Sequence, residues 1–199
     1  MKKNQLENKG VPLFVNATRD LPARAGATFD SYFVSSEFEH DGERYAFVWH
    51  QQSLFGQLVT AEVQLTTTKG QVWSNNALTL PLGQGTSIAA DKLDVRSPFG
   101  SLTGDREKMR LSLQVEDGTV EATLRPRRTV LYNGGEGLLK FLGNMDNHQY
   151  SFPNMDVEGT LTIKGESVPI TNTTAWFDRQ GGHADSASEL LQGGGMDRL

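Results

Sequence analysis

Apolar and polar residues alternate with a period of two along most of the chain. In the segment Tyr45 to His50, for example, Tyr45, Phe47 and Trp49 occupy one set of alternate positions. Successive side chains of a β-strand point to opposite faces, so this period is typical of strands that are buried on one side. The periodicity of a helix is almost absent, and the pattern therefore predicts a protein built from strands.

Glycine-containing dipeptides separate several of the strand-like segments, as expected for hairpin turns. They are Asp41-Gly42, Lys69-Gly70, Asp117-Gly118 and Lys164-Gly165. Around the third dipeptide, we expect Met109 to Val115 to pair with Val120 to Leu124. Around the fourth, we expect Val157 to Ile163 to pair with Val168 to Trp176.

The predicted fold class is all-β, with about eight to ten antiparallel strands that close into a barrel or a tight sandwich. Residues 1–28 are polar, contain several proline and glycine residues, and are predicted to form an arm that lies on the domain. Residues 29–180 are predicted to form the β domain. Residues 181–199 change in character and are predicted to be a flexible tail or a truncated linker.

Composition and charge narrow the range of partners. The 199 residues carry a formal net charge of -5, with 37% hydrophobic and 22% charged residues, as is typical of a soluble globular protein. A mildly acidic chain is a poor candidate for binding nucleic acid or an anionic membrane. The absence of cysteine excludes disulfides and thiolate sites. No apolar segment reaches the length of a membrane span, no signal peptide is visible, and we expect a cytoplasmic protein.

An antiparallel barrel of this size packs side chains inside and can also enclose an apolar ligand. Tyr45, Phe47 and Trp49 are predicted to point inward, either as simple core or as the lining of a ligand site. The four histidines lack the paired spacing of metal ligands, so we expect neither a metal ion nor another cofactor.

Polar groups placed among aromatic residues are the remaining candidates for chemistry. His148 and Tyr150 share one face if their segment is extended, and so do Trp176 and Asp178. Asp178 has two interpretations: it starts a turn or pairs with Arg179, or it works as an acid at the mouth of an apolar cavity.

Two segments resemble a known family. They are HQYSFPNMDVEGTLTIKGESVPITNTTAWFDRQGG, which begins at His148, and FDSYFVSSEFEHDGERYAFVWHQ, which begins at Phe29. Both resemble the lipocalin-like family of carotenoid hydratases (hydroxyneurosporene synthases) and predicted secreted hydrolases of the attachment operon. That family usually has two barrels in tandem, with Trp where this chain has Gly181 and Gly where it has Thr173.

The resemblance implies a lipocalin-like barrel that acts on a hydrophobic isoprenoid or polyketide-like substrate by alkene hydration, cyclisation or isomerisation. The catalytic residues that it implies are Asp178, His148, Tyr150 and Trp176. The predicted substrate-binding residues are Trp49, Tyr45, Phe47, Tyr32 and Gln51. In this hypothesis, burial keeps the carboxyl group of Asp178 protonated, aromatic faces stabilise a cation, and His148 handles the attacking water. The alternative is a non-catalytic carrier of an apolar molecule, and a homodimer would supply a second barrel.

Overall fold

The computed structural model describes residues 15–24, 27–127, 129–141 and 145–183. Within these ranges the chain forms thirteen strands and no helix. The strands are β1 (Phe29–His40), β2 (Glu43–Leu54), β3 (Leu58–Thr67), β4 (Val72–Pro81), β5 (Ser87–Ile88), β6 (Leu93–Ser97), β7 (Gly100–Gly104), β8 (Met109–Val115), β9 (Gly118–Pro126), β10 (Leu131–Tyr132), β11 (Leu138–Phe141), β12 (Met145–Ile163) and β13 (Glu166–His183).

The predicted all-β, antiparallel, lipocalin-like fold is confirmed. All thirteen strands belong to one curled antiparallel sheet in the order β4-β3-β2-β1-β13-β12-β9-β8-β7-β6-β5, with the short strands β10 and β11 paired to β12. Three of the strands are short, since β5 and β10 have two residues each and β11 has four. No helix in the described ranges is long and apolar enough to cross a membrane.

Both predicted strand pairs are present. Met109 lies opposite Leu124 in the pairing of β8 with β9. Val157 lies opposite Thr173 in the pairing of β12 with β13. The turn between β1 and β2 places Asp41 and Gly42 at φ angles of 49° and 74°, which is the left-handed backbone that a two-residue hairpin requires.

The sheet curls until strands β2 to β4 lie across from strands β6 to β8. The side-chain amide of Asn75 on β4 donates a hydrogen bond of 2.8 Å to the carbonyl oxygen of Gln114 on β8. Gln51 on β2 likewise donates to the carbonyl oxygen of Arg96 on β6 at 3.2 Å. The apolar side chains between these walls form one continuous core.

Part of the segment that the sequence predicts as an arm on the domain packs into this core. Val15, Ala17 and Leu21 are buried and belong to the same cluster as the inward residues of the strands. At the other end, β13 continues as far as His183. Residues 1–14 and the predicted tail beyond residue 183 lie outside the described residues.

Candidate functional site

Strand register sorts the interior of the sheet into layers of different polarity. In one layer across β12, β13, β1 and β2, the aligned residues are His148, Gly181, Asp30 and Ser53. The next layer contains Tyr150, Arg179, Tyr32 and Gln51. The third contains Phe152, Phe177, Val34 and Trp49. The first two layers therefore form a polar end of the interior, and the interior becomes apolar from the third layer onward.

Arg179 is the centre of the polar end. Its side chain is fully buried and forms an ion pair with Asp30. The guanidinium carbon lies 4.2 Å from the centre of the Tyr32 ring, within the range of a cation–π interaction. Its remaining N–H groups donate to backbone carbonyls, including those of Leu21 at 3.2 Å and Pro22 at 2.8 Å. Arg179 thus binds the segment that contains Leu21 and Pro22 and holds it across the polar end of the sheet.

His148 lies in the outermost polar layer and is also fully buried. Its Nδ1 atom accepts a hydrogen bond of 2.8 Å from the guanidinium of Arg24. Burial, together with the charges of Arg179 and Arg24, lowers the pKa of His148 to about 3. The imidazole is therefore neutral at physiological pH, with its proton on Nε2, and that atom has no hydrogen-bond partner among the described residues.

The two tyrosines of the second layer are held as neutral phenols. Burial raises the pKa of both Tyr32 and Tyr150 above the ordinary tyrosine value. The Tyr150 hydroxyl donates a long hydrogen bond of 3.5 Å to the carbonyl oxygen of Ala17. Tyr150 therefore also contacts the segment that closes the polar end.

Asp178 and Trp176 lie on the opposite, outer face of β13. Ala175, Phe177 and Arg179 are buried, whereas Trp176 and Asp178 are half-buried, as alternation along a strand requires. The carboxylate of Asp178 accepts a hydrogen bond from the Ser151 hydroxyl. Its neighbour in sequence, Arg179, pairs with Asp30 instead.

A second histidine lies in the same cross-strand row as Asp178 on the outer face. Phe33 on β1 is aligned with Asp178 on β13 and with His50 on β2. The rings of Phe33 and His50 meet edge to face, with centroids 5.7 Å apart. Asp178 and His50 therefore flank Phe33 across three adjacent strands.

His50 has defined hydrogen bonds at its Nε2 atom. The amide nitrogen of Gln52 and the hydroxyl of Ser31 each lie 2.9 Å from it. Since an amide nitrogen can only donate, Nε2 is an acceptor and the ring proton is on Nδ1. Burial lowers the pKa of His50, and the charge of Glu62 partly opposes this shift.

A depression of about 320 Å³ adjoins the row that contains Asp178 and His50. Its apolar wall includes Trp176, Val48 and Pro153, and Ser35 adds a hydroxyl. In the strand register, Ser35 is aligned with Trp176 and is two residues from Phe33. This volume lies at the lower end of the range for small-molecule sites.

The structure brings together only part of the predicted site. His148 and Tyr150 share the interior face, and Trp176 and Asp178 share the outer face. The register keeps the two pairs on different faces, because it places Tyr150 opposite Arg179 and Ser151 opposite Asp178. The two pairs are consequently separated by the sheet itself.

The predicted substrate-binding residues all belong to the inner side of β1 and β2. Tyr32, Phe47, Trp49 and Gln51 are buried there. Tyr45 is half-buried and stacks on Phe38 with ring centroids 5.2 Å apart. Sequence reasoning missed Phe33 and His50, although the alternation along β1 and β2 already puts them on the face opposite Tyr32 and Gln51. No group of three or more histidine, aspartate or glutamate side chains in the described ranges is placed to hold a metal ion.

Comparison with known proteins places this fold in a family. A family described as AttH-like matches residues 31–192. The chain belongs to the AttH-like family. Among curated proteins, none matches the sequence.

Two crystal structures share the fold of this AttH-like chain. One, of an AttH candidate from Nitrosomonas europaea, has a TM-score of 0.75 and 20% identity, covering 87% of this chain and 57% of that one. The other, kievitone hydratase from Nectria haematococca, has a TM-score of 0.69 and 17% identity, covering 90% of this chain and 55% of that one. The chain therefore spans little more than half the length of either protein.

Proposed function

We propose that this AttH-like chain is a lipocalin-like hydratase unit that acts on a hydrophobic small molecule at its outer face. The observation that supports this proposal is the position of Asp178. It is not paired with Arg179, it is half-buried, and it shares the outer face of β13 with Trp176, which lines the depression. The fold shared with kievitone hydratase supports the same class of reaction.

The proposed reaction adds water across a carbon–carbon double bond. Asp178 is the general acid of this proposal: its carboxyl group gives a proton to one alkene carbon, and the other carbon becomes a carbocation. The ring faces of Phe33 and Trp176 stabilise that cation, each contact contributing about 2 kcal/mol when water is excluded. Water then attacks the cation and forms the new carbon–oxygen bond.

The proton that the attacking water loses passes to His50. The Ser31 hydroxyl donates to Nε2 of His50, so a water held by Ser31 can transfer its proton through that hydroxyl. Asp178 and His50 are on strands two apart, which separates their backbones by about 10 Å and leaves room for a substrate over Phe33. Exchange with solvent then returns the proton to Asp178. A cyclisation or isomerisation would share the first proton transfer.

The substrate class follows from the walls of the depression. Trp176, Val48 and Pro153 present apolar surface to a molecule such as an isoprenoid or a polyketide-like compound. The depression is open to one side, and a second barrel or a second copy of the chain would enclose it. In this proposal His148 and Tyr150 have no contact with substrate, since they are on the other face of the sheet.

The decisive experiment incubates the protein with a lipophilic extract in oxygen-labelled water and follows the products by mass spectrometry. We expect a product heavier by one labelled water, and we expect Asp178→Asn to abolish its formation while substrate is still retained. Asn cannot deliver the proton but has nearly the same shape. The control is Asp156→Asn, which removes a carboxylate of an exposed ion pair with Arg127. Full turnover by Asp178→Asn would exclude this mechanism.

A further inference from the structure

The outer face of β1 and β2 carries a serine hydroxyl that is bonded to an imidazole. The hydroxyl oxygen of Ser31 lies 2.9 Å from Nε2 of His50. Gln52 donates its amide N–H to the same atom, so Nε2 is an acceptor and the Ser31 hydroxyl is a donor. A hydroxyl that donates to a neutral imidazole is the arrangement that activates a serine as a nucleophile.

A carboxylate on the next strand acts on the same imidazole. Glu62 on β3 is aligned with His50 on β2. Burial lowers the pKa of His50, and the charge of Glu62 raises it. From the other side, β1 places Phe33 and Ser31 against the imidazole, and neither is charged. Glu62 can therefore stabilise the imidazolium that forms when Nε2 takes a proton, as the carboxylate of a catalytic triad does.

Two glutamines flank Ser31 in the strand register. Gln52 on β2 and Gln180 on β13 are both aligned with Ser31, one on either side of β1. Side-chain amides are among the donors that stabilise the oxyanion of acyl transfer. The N–H of Gln52 becomes available at the right step, because Nε2 of His50 stops accepting once it takes a proton. Ser31 has an exposed fraction of 5%, so the two amides must turn aside to admit a substrate.

We propose that Ser31 is a nucleophile, activated by His50, that cleaves the ester of an apolar carboxylic acid. The apolar acyl group follows from what lies next to Ser31 along the outer face. Phe33 is two residues away on β1, and one further step along the face reaches the depression that Trp176 and Val48 line. This activity goes beyond the proposed hydration, because it needs no alkene and no proton from an aspartic acid.

The ester is cleaved in two steps, and His50 handles the proton in both. In the first, Oγ of Ser31 bonds to the ester carbonyl carbon while its proton passes to Nε2 of His50. The carbonyl oxygen becomes an oxyanion that accepts from Gln52 and Gln180, and the alcohol then leaves with the proton from His50. In the second, water gives its proton to His50 and attacks the acyl group. The carboxylic acid is released, and Ser31 regains its proton.

The test has two readouts on the full chain. An alkyl fluorophosphonate forms a phosphorus–oxygen bond to an activated serine and releases fluoride, and tandem mass spectrometry identifies the residue that carries it. We expect the adduct on Ser31. The second readout is release of 4-nitrophenol from 4-nitrophenyl octanoate, which we expect to fall to the uncatalysed rate in Ser31→Ala. Neither readout involves an alkene, so a failure of the proposed hydration would leave both results unchanged.

Three further variants test how the serine is activated. His50→Gln keeps the serine but removes the base, and we expect it to slow both reactions at least about 100-fold. Glu62→Gln should move the acid limit of ester cleavage to lower pH, since the carboxylate that raises the pKa of His50 is gone. Ser112→Ala is the matched control and should keep full activity, because the Ser112 hydroxyl donates to the carboxylate of Glu121 at 2.5 Å instead of to an imidazole.

Several results would each overturn the proposal. They are the absence of an adduct on Ser31, ester cleavage that survives in Ser31→Ala, and unchanged rates in His50→Gln. An acid limit that stays in place in Glu62→Gln would overturn it as well. Labelling of the unaltered protein and the rates of His50→Gln decide the question even if Ser31→Ala fails to fold.

Discussion

Two histidines of this protein have pKa values lowered by burial, and the position of each gives that shift a different consequence. His148 is buried at the polar end of the interior and accepts a hydrogen bond from Arg24, so its lowered pKa affects the stability of the folded protein. His50 lies on the outer face with an accepting Nε2 atom, where its lowered pKa affects the proposed reaction. The same physical cause therefore leads to two separate pH-dependent predictions.

His148 should make the protein less stable in acid. Its pKa is about 3 in the folded protein and near the ordinary value of about 6.5 in the unfolded chain, so the unfolded chain binds more protons between these limits. The free energy of unfolding should then fall by up to about 1.4 kcal/mol per pH unit as the pH drops through this window. Urea denaturation between neutral pH and pH 4 measures the slope. We expect His148→Gln to flatten it, and an unchanged slope in that variant would contradict this role.

His50 should set the acid limit of the proposed reaction. The reaction needs a neutral imidazole, and burial keeps the pKa of His50 below its ordinary value. Activity should therefore persist below a pH of about 6.5 and decline only at lower pH, as His50 becomes protonated. A pH profile of turnover measures the limit, and His50→Gln should remove most of the activity. The control is His40→Gln, which alters the histidine beside Asp41 at the first hairpin. An acid limit above the ordinary histidine pKa would contradict the role of His50.

At the scale of elements, β13 supplies residues both to the buried polar end of the sheet and to the proposed active site. Its inner face supplies Arg179, which binds the carbonyls of the segment before β1. Its outer face supplies Asp178 and Trp176 to the proposed active site. Gly181 makes the inner arrangement possible, because an added Cβ would lie 2.7 Å from Cε1 of His148 and would also strike Asp30. The tryptophan that the family usually has at this position could not fit here without displacing both side chains.

Removing the guanidinium of Arg179 should loosen the segment that closes the polar end. Arg179→Met leaves Asp30 buried without its ion-pair partner, which should lower the free energy of unfolding by roughly 3–5 kcal/mol. Amide hydrogen exchange in residues 15–24 should become faster, because the carbonyls of Leu21 and Pro22 lose their donors. Denaturant titration and hydrogen exchange measure the two effects.

The matched control for this prediction is Arg125→Met. Arg125 forms an exposed ion pair with Glu158 at 3.1 Å, and we expect its loss to cost less than about 1 kcal/mol. Adding Asp30→Asn to Arg179→Met should recover part of the lost stability, since no unpaired charge would then be buried. Equal losses in the two arginine variants would show that the buried pair does not hold the segment.

At the scale of the whole molecule, local sequence patterns predicted the fold better than the site. Alternation and turn dipeptides act between neighbouring strands, and they correctly paired β8 with β9 and β12 with β13. The site depends on which face of β13 is inside. Hydrophobicity favours Trp176 inside and Arg179 outside, and the structure has the reverse. Arg179 is stable in the interior because of Asp30, whose position on β1 far away in sequence is fixed by long-range pairing and is invisible to a local pattern.

The position of β13 in the sheet also bears on how the chain is made. β1 lies between β2 and β13, so one edge of the first strand is paired by the last strand described. During synthesis, β1 to β4 can pair as they emerge, but the free edge of β1 stays open until β13 arrives. Open strand edges are where nascent chains join one another wrongly. The interval between the synthesis of β1 and that of β13 is therefore when this protein is most exposed to aggregation in the cell.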